Sequence, residues 1–402
     1  MPESILSHLG DLPIDQFLKD YWQKKPLLIR NTFPNFVSPI SADELAGLSL
    51  EDAVESRIIV EGGGSDTEGK GPWDLQCGPF SEESFQNLPS SHWTLLVQAV
   101  DQWVPEIAAL LRRFYFLPSW RLDDVMISYA PNGGSVGPHY DQYDVFLVQA
   151  QGQREWQVGG IEDEHSPRLH NTDLHILSDF SPSDTWVLNP GDMLYLPPQF
   201  SHWGVAKNDC MTYSVGFRAP SHSELLARFA DDLISRLPES VRYTDASITA
   251  AAHIGGIPRE AITHIHSALM TYLENDDAIA SWFGALVTER KYADQDVVLD
   301  EPVSDEDWLN ELRSGCRLIR NEGSRFAFFV DEHGSEIDIC SDADIQAKLF
   351  IDGETYQCAK ALAELLCKEH EIVFEQLEAL MNEASQQLIT GLINTGAFYM
   401  AE

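Results

Sequence analysis

Positive charge is scarce in this sequence. The chain carries 26 Lys and Arg residues against 64 Asp and Glu residues, a net charge of −38. A surface of this sign repels nucleic-acid backbones and anionic lipid, so direct binding to DNA, RNA or a membrane surface is not expected. The same field attracts cations and basic proteins, and the expected macromolecular partner is therefore basic. A role of the acidity in solubility alone remains the alternative.

Paired cysteines and long apolar segments are also missing. The six cysteines are scattered without a C-x-x-C pair, which is typical of reduced thiols rather than of a disulfide scaffold or a zinc ribbon. No run of about 18 consecutive apolar residues occurs. The N-terminal segment lacks the basic and apolar regions of a secretory signal. The sequence therefore predicts a cytoplasmic protein without a membrane span.

The arrangement of apolar residues predicts several folded units along the 402 residues. Helical spacing predicts helices over 14–24, 41–50 and 93–116, with a strand in "KPLLIRN" and a glycine-rich flap or linker at 61–73. Between Val125 and Phe217, short runs rich in β-branched and aromatic residues alternate with Gly, Pro and Asp. Such spacing predicts an antiparallel sandwich or barrel.

The part of the chain after the β-rich segment is predicted to be mainly helical. Helices are expected from Ser223 to about Arg290 with a break at "GGIPRE", followed by a linker at 294–307. The last segment is predicted to contain a helix, then short strands that include 325–339, and then two helices. This order suggests a winged-helix-like module. Residues 301–402 contain 7 basic and 21 acidic residues. A DNA-binding module needs the opposite balance, so packing or dimerisation is the favoured role.

A candidate metal site lies in the β-rich segment. In "GPHYDQYDVF" (137–146), His139 and Asp141 are two residues apart, so in an extended chain their side chains point to the same face. A third ligand, His202, follows "NPGDMLYLPP" just past its strand, where a double-stranded barrel returns beside the first pair. Two imidazoles and one carboxylate with open positions are typical of non-haem Fe(II) oxygenases. Three further histidines lie in a polar loop and are expected to be solvated: His165, His170 and His175.

An Fe(II) oxygenase needs a source of two electrons, and 2-oxoglutarate supplies them if a buried cation holds its distal carboxylate. Alternation in "QREWQVG" places Arg154 on one face with Trp156 and Val158. Burying an arginine there is costly without an anion. Arg154 is therefore the predicted carboxylate anchor, with Arg218 in reserve. Pairing of Arg154 with a protein carboxylate remains open.

The same alternation predicts a substrate pocket. In "DDVMISYA" it aligns Asp124, Met126 and Ser128 on one face. Ser128 is placed to hydrogen-bond the cosubstrate, and an inward Asp124 suggests that the substrate brings a positive charge. Tyr143 and Ser214 are candidates to complete the pocket, although each also fits a purely structural role as a rim aromatic or a core hydroxyl.

These motifs, together with "YWQKKPLLIRN", "MISYAPNGGSVGPHYDQYDVFLVQAQGQREWQVG" and "YSVGFRAP", resemble the JmjC-type ribosomal oxygenases of bacteria, in the cupin superfamily. The resemblance extends over essentially the whole chain. It implies an α+β protein with a double-stranded β-helix (jelly-roll, cupin) core. It also implies four segments: an N-terminal elaboration of the barrel at 1–92, the JmjC catalytic domain at 93–220, a helical dimerisation region at 221–299 and an acidic winged-helix-like domain at 300–402.

The same resemblance implies a dioxygenase that uses Fe(II), 2-oxoglutarate and O2 to hydroxylate an arginine of the sixteenth large-subunit ribosomal protein. The expected products are 3-hydroxyarginine, succinate and CO2, and the expected assembly is a homodimer. Iron is implied at His139, Asp141 and His202, and 2-oxoglutarate at Arg154 and Ser128. The implied pocket for the substrate arginine contains Asp124, Met126, Tyr143 and Ser214.

Three other functions remain open from the sequence. A histidine of another ribosomal protein is the alternative target within the family. A cupin sensor joined to a winged helix would instead act as a transcription regulator without catalysis, but its DNA-binding module should be basic. A metallo-cupin dioxygenase or isomerase with three or four histidine ligands is disfavoured by the aspartate of the H-x-D pair and by Arg154.

Overall fold

A computed structural model describes most of the chain, which divides into two compact units, Met1–Ala219 and Pro220–Glu402. The described residues are 4–62, 73–170, 172–246, 249–250, 253–292, 301–331 and 345–401. The loop expected at 61–73, the linker expected at 294–307 and the segment expected to form a strand at 325–339 lie partly outside these ranges. The finer division into four segments stays a prediction.

Short helices and strands form the first part of unit 1. In chain order they are β1 (His8–Leu9), β2 (Leu12–Pro13), α1 (Ile14–Asp20), β3 (Leu27–Ile29), α2 (Ala42–Leu48), β4 (Ser56–Glu61), β5 (Trp73–Cys77), α3 (Glu82–Gln86), β6 (Trp93–Val97) and α4 (Pro105–Arg112). Local signals start the helices. Ser41 and Glu44 form a capping box at α2, and Pro105 is the first residue of α4, where its missing N–H is not needed.

Seven strands complete unit 1: β7 (Leu122–Ala130), β8 (Val145–Gln151), β9 (Arg154–Ile161), β10 (Asp184–Leu188), β11 (Met193–Leu196), β12 (Phe200–Ala206) and β13 (Cys210–Phe217). One antiparallel sheet has eight strands in the order β3-β11-β8-β13-β7-β6-β4-β5, and a second has three in the order β10-β9-β12. The chain passes repeatedly between the two sheets. The double-stranded β-helix core predicted from the sequence is confirmed.

The eight-stranded sheet buries different side chains on its two faces. On the outer face, Val125 of β7 and Val215 of β13 join a core that includes Phe17 of α1 and Ile107 of α4. On the inner face, Leu147 of β8 packs with side chains of the three-stranded sheet. Because strand residues alternate between faces, the even-numbered residues from 124 to 128 and from 212 to 216 belong to the inner face. The predicted site residues of β7 and β13 are among them.

Unit 2 contains the remaining helices and strands. They are α5 (His222–Arg236), α6 (Arg259–Leu273), α7 (Asp276–Thr288), α8 (Asp305–Arg313), β14 (Arg317–Arg320), β15 (Phe326–Phe329), β16 (Gln346–Ile351), β17 (Glu354–Ala359), α9 (Lys360–Lys368), β18 (Glu371–Ile372), α10 (Phe374–Leu377), α11 (Glu383–Asn394) and β19 (Phe398–Ala401). The strands form two three-stranded sheets, β18-β14-β19 and β15-β16-β17. Trp308 is fully buried at the centre of this unit's core.

Several elements differ from the sequence prediction. The helix predicted over 93–116 is wrong: Trp93–Val97 is a strand, and an α-helix begins only at Pro105. The run "WTLLV" is apolar on both faces, so its spacing does not distinguish a helix from a buried strand. The helix predicted over 14–24 ends at Asp20. His202 does not lie just past the strand of "MLYLPP" but within a separate strand, β12.

Candidate metal and cosubstrate site

Two histidines meet through a local pairing of their backbones. His139 and His202 form an isolated antiparallel bridge in which the N–H of each donates to the carbonyl oxygen of the other, at 3.0 and 2.8 Å. This pairing puts the imidazoles side by side, with ring centroids 4.3 Å apart. Gly137 makes the preceding turn with φ of 79°, where a Cβ would collide with Ile176 at 2.9 Å. The turn that positions His139 therefore requires glycine at residue 137.

The second nitrogen of each ring is held by the backbone. Nδ1 of His139 lies 2.9 Å from the carbonyl oxygen of Gly137, and Nδ1 of His202 lies 2.9 Å from that of Phe200. A carbonyl oxygen only accepts hydrogen bonds, so each Nδ1 carries the proton and each Nε2 keeps its lone pair. Burial, followed by the nearby His139, lowers the pKa of His202 to about 4. Both effects favour the neutral imidazole that binds metals.

Asp141 completes the cluster. One of its carboxylate oxygens lies 3.7 Å from Nε2 of His202, and the ligand atoms of all three side chains lie within 4.8 Å of one another. In the described part of the chain no other set of three His, Cys, Asp or Glu side chains converges in this way. The loop histidines His165, His170 and His175 do not. Two imidazole nitrogens and one carboxylate on one side of a site fit Fe(II) with open positions.

The predicted anchor is a buried arginine with unused donors. Arg154 is 5% exposed, and its Nη1 donates to Oγ of Ser128 at 3.2 Å. Its Nε and Nη2 are buried and have no hydrogen-bond partner among the described residues. Unpaired guanidinium donors are costly to bury, so this site fits an anionic group. The reserve candidate, Arg218, differs because it is partly exposed and pairs with Asp123 at 3.4 Å.

Three of the predicted pocket residues, Asp124, Met126 and Ser214, lie on the inner face of the eight-stranded sheet. Asp124 is 3% exposed, and Met126 pairs with Ser214 across the β7–β13 register. Tyr143 lies at the rim and is 41% exposed. The charge of Asp141, together with burial of the hydroxyl, raises the pKa of Tyr143, which therefore stays protonated and hydrogen-bonds that carboxylate.

Comparison with known proteins decides the family. The JmjC domain family matches residues 109–225, and the ROXA-like winged helix family matches residues 268–399. The ribosomal protein uL16 3-hydroxylase of Escherichia coli is 38% identical over 328 residues, which cover 80% of this chain and 84% of that protein. The chain belongs to the JmjC-domain ribosomal oxygenases.

Two further comparisons agree with this family. A probable ribosomal oxygenase of Haemophilus influenzae is 33% identical over 362 residues, 85% of this chain and 87% of that protein. The solved structure of YcfD, a ribosomal oxygenase from Escherichia coli, in complex with cobalt and 2-oxoglutarate is 32% identical with a TM-score of 0.83. The alignment covers 98% of this chain and 99% of YcfD. The resemblance stated from the sequence motifs is confirmed.

Some contacts in this ribosomal oxygenase were not expected from its sequence. Tyr140, between the two ligands of the H-x-D pair, accepts a hydrogen bond from Nη2 of Arg168 at 2.7 Å and lies under that guanidinium. Gln98 and Ala99, which follow β6, hold Asp124. Alternation along β6 would have placed Gln98 on the inner face, had that segment been recognised as a strand.

Among the described residues of this ribosomal oxygenase, no helix is both long and apolar enough to cross a membrane.

Proposed function

We propose that this chain hydroxylates an arginine of ribosomal protein uL16 and converts 2-oxoglutarate and O2 to succinate and CO2. The observation that carries the proposal is the convergence of His139, Asp141 and His202, with both Nδ1 atoms engaged and both Nε2 atoms available. These three side chains would hold Fe(II). When bound together with 2-oxoglutarate, the metal supplies the O2 activation that breaks a C–H bond. The product would be 3-hydroxyarginine.

The cosubstrate assignment rests on the unpaired donors of Arg154. A guanidinium offers a planar fork that matches a carboxylate, and Ser128, already bonded to Arg154, lies beside it. Together they would bind the distal carboxylate of 2-oxoglutarate and orient the cosubstrate toward the metal ligands. The residues of β9 and β12 that close this part of the barrel would exclude water during the reaction.

The substrate assignment rests on Asp124. Its carboxylate is buried on the inner face, where Met126, Tyr143 and Ser214 provide an apolar wall and two hydroxyls. A guanidinium is the side-chain cation that matches a carboxylate with two parallel hydrogen bonds. A ribosomal protein is basic, and a chain with a net charge of −38 attracts such a partner at long range. Free cysteines at all described positions fit action in the cytoplasm.

Mass spectrometry tests this function. The purified protein is incubated with uL16, Fe(II), 2-oxoglutarate and O2, and we expect one arginine of uL16 to gain the mass of an oxygen atom. Omission of 2-oxoglutarate is the control. The proposal fails if uL16 stays unmodified, and oxygen on a histidine of another ribosomal protein would instead establish the alternative target.

We further propose that α5 and α6 mediate a homodimer. Large apolar side chains are exposed on both helices: Leu226, Ile234, Ile262, Ile265, Leu269 and Leu273. The four in α6 are spaced by three or four residues and therefore form one stripe. A second copy is the favoured partner because it offers the same uncharged stripe, whereas the rest of the chain is strongly acidic.

Sedimentation tests the homodimer. The unchanged protein should sediment as a dimer at micromolar concentration, and Ile265→Glu should shift it toward monomer because a charge in an apolar interface is costly. Ser267→Glu, on another side of the same exposed helix, is the matched control. A monomeric unchanged protein would refute the proposal.

A further inference from the structure

Gly216 of β13 lies next to Asp124 in the pocket. We infer that Gly216 determines specificity, because its missing side chain leaves the space through which a guanidinium reaches Asp124. The inference rests on the proposed arginine substrate and concerns a residue to which that proposal gives no role.

Alternation along β13 places Gly216 on the inner face. Its neighbours Val215 and Phe217 belong to the outer core, against the N-terminal helices. Gly216 therefore points with Ser214 toward the interior of the barrel. Asp124 of β7 lies beside it on the same face, so the glycine and the carboxylate border one space.

That space is open in the structure. A Cβ built on Gly216 would meet only two described heavy atoms within 4 Å, Oδ1 of Asp124 at 3.7 Å and the backbone oxygen of Asp124 at 3.9 Å. Both distances are ordinary van der Waals contacts. The fold of the protein itself therefore leaves room for a methyl group at this position.

Neither backbone conformation nor packing explains the glycine. Gly216 is not among the residues with positive φ, and the bulge between Val215 and Phe217 accepts other residues when φ is negative. Two other strand glycines differ, since a Cβ on Gly159 would collide with Oγ of Ser201 and one on Gly204 would meet the ring of Trp156 at 2.7 Å. A glycine within a strand also marks the close approach of a ligand, which is the explanation that remains for Gly216.

The orientation of Asp124 supports this explanation. Its Oδ2 accepts hydrogen bonds from Nε2 of Gln98 at 2.7 Å and from the backbone N–H of Ala99 at 3.0 Å. Ala99 is buried and has φ of 50°, a left-handed conformation that is uncommon for a residue with a side chain. These two bonds orient the carboxylate so that Oδ1 is the oxygen nearest to the open side of Gly216.

A side chain at position 216 would compete with the substrate. A guanidinium nitrogen bonded to Oδ1 sits about 2.8 Å from it, so that nitrogen and a methyl group on Gly216 would claim overlapping space. The planar guanidinium is wide and needs both of its donors near the carboxylate. An ammonium group is compact and is expected to be less sensitive to the same methyl.

The test compares Gly216→Ala with Gly160→Ala in the full chain. Gly160 is the matched control because it is an exposed strand glycine whose Cβ would meet nothing within 4 Å. Binding of a uL16 peptide that contains the target arginine is measured by calorimetry without oxygen, with Fe(II) and 2-oxoglutarate present. We expect Gly216→Ala to weaken binding by about tenfold or more. A peptide with lysine in place of arginine should bind Gly216→Ala and Gly160→Ala equally. The preference for arginine over lysine should therefore be smaller in Gly216→Ala.

Binding of 2-oxoglutarate and the melting temperature should match between the two variants. Arginine-peptide binding by Gly216→Ala as tight as that of the unchanged protein would overturn this inference alone. Weaker 2-oxoglutarate binding in Gly216→Ala would also overturn it, because the methyl group would then act on the fold. If the unchanged protein itself fails to bind the arginine peptide, the proposed substrate fails and this inference fails with it.

Discussion

Buried charged side chains on the two sides of the eight-stranded sheet differ in how completely they are hydrogen-bonded. On the outer face, Asp144 is fully buried and accepts hydrogen bonds from Tyr195 at 2.6 Å, Gln23 at 3.0 Å and Arg121 at 3.4 Å. Facing the inner face from the three-stranded sheet, Arg154 of β9 is almost as buried, yet its Nε and Nη2 lack a partner among the described residues. Burying a charge costs free energy unless it is paired. Asp144 therefore stabilises the folded protein, whereas the unpaired donors of Arg154 can bind a ligand.

The largest expected effect comes from removing a metal ligand on the inner side. His139→Ala or Asp141→Ala should reduce substrate-dependent consumption of 2-oxoglutarate to background, because two ligands do not hold the metal in place. The thermal unfolding of the metal-free protein should change little, since both residues are only partly buried. The measurement is succinate formation with and without uL16.

A chelator added to the unchanged protein is the matched control and should have the same effect. Turnover that persists in either variant would show that the metal is held elsewhere.

Arg154 and Asp144 allow a direct test of the contrast between the faces. Arg154→Met should weaken 2-oxoglutarate binding by about 100-fold, the equivalent of two charge-assisted hydrogen bonds at about 1.5 kcal/mol each. The free energy of unfolding of the metal-free protein should stay equal or rise, because an apolar side chain of similar length replaces an unpaired buried charge. Calorimetry and denaturant unfolding measure the two quantities.

Asp144→Leu should show the opposite pattern. It leaves Arg121 without its carboxylate and should lower the free energy of unfolding by about 3 kcal/mol. Binding of 2-oxoglutarate by the folded protein should not change. Equal destabilisation by Arg154→Met and Asp144→Leu would mean that both side chains stabilise the folded protein. The proposed difference between Arg154 and Asp144 would then be wrong.

A substitution of Asp124 tests whether this residue binds the substrate arginine and not 2-oxoglutarate. Asp124→Asn keeps the shape of the side chain but removes its charge, and it should weaken binding of an arginine peptide by about 30-fold, or about 2 kcal/mol. Binding of 2-oxoglutarate should remain unchanged, because Arg154 and Ser128 are left intact. Isotherms with both ligands measure the difference. If neither changes, the substrate pocket lies elsewhere.

Short-range periodicity was enough to predict the inner face of the barrel. The two-residue spacing of His139 and Asp141, and that of Arg154 and Trp156, identifies the shared face directly from the sequence. Because Arg154 shares that face with apolar side chains, it was expected to be buried. A buried arginine needs an anionic partner, so a ligand carboxylate was expected beside it. These predictions concern near neighbours within one extended segment, where geometry is nearly independent of the rest of the fold.

Contacts between distant segments were harder to predict. The strand at Trp93–Val97 was mistaken for part of a helix, so Gln98 and Ala99 could not be placed beside Asp124. His202 was assigned to the right site but to the end of the wrong strand. Periodicity does not report which strands become neighbours, and an apolar run fits either a buried helix or a buried strand. Only the sheet order reveals these partners.

The smallest expected effect is a pH dependence of stability that arises from His202 inside the barrel. Burial lowers the pKa of His202 from its ordinary value of 6.5 to about 4 in the metal-free protein. The unfolded chain therefore binds a proton more readily than the folded protein, and the contribution of His202 to stability, complete above pH 6.5, is lost as the pH falls toward 4. Between about pH 6 and pH 5 the loss should be roughly 1 kcal/mol. Denaturant unfolding at both pH values should show that the loss is smaller for His202→Gln, which cannot take up the proton. An identical loss in the variant would assign the pH dependence to other groups and leave the buried imidazole without a measurable cost.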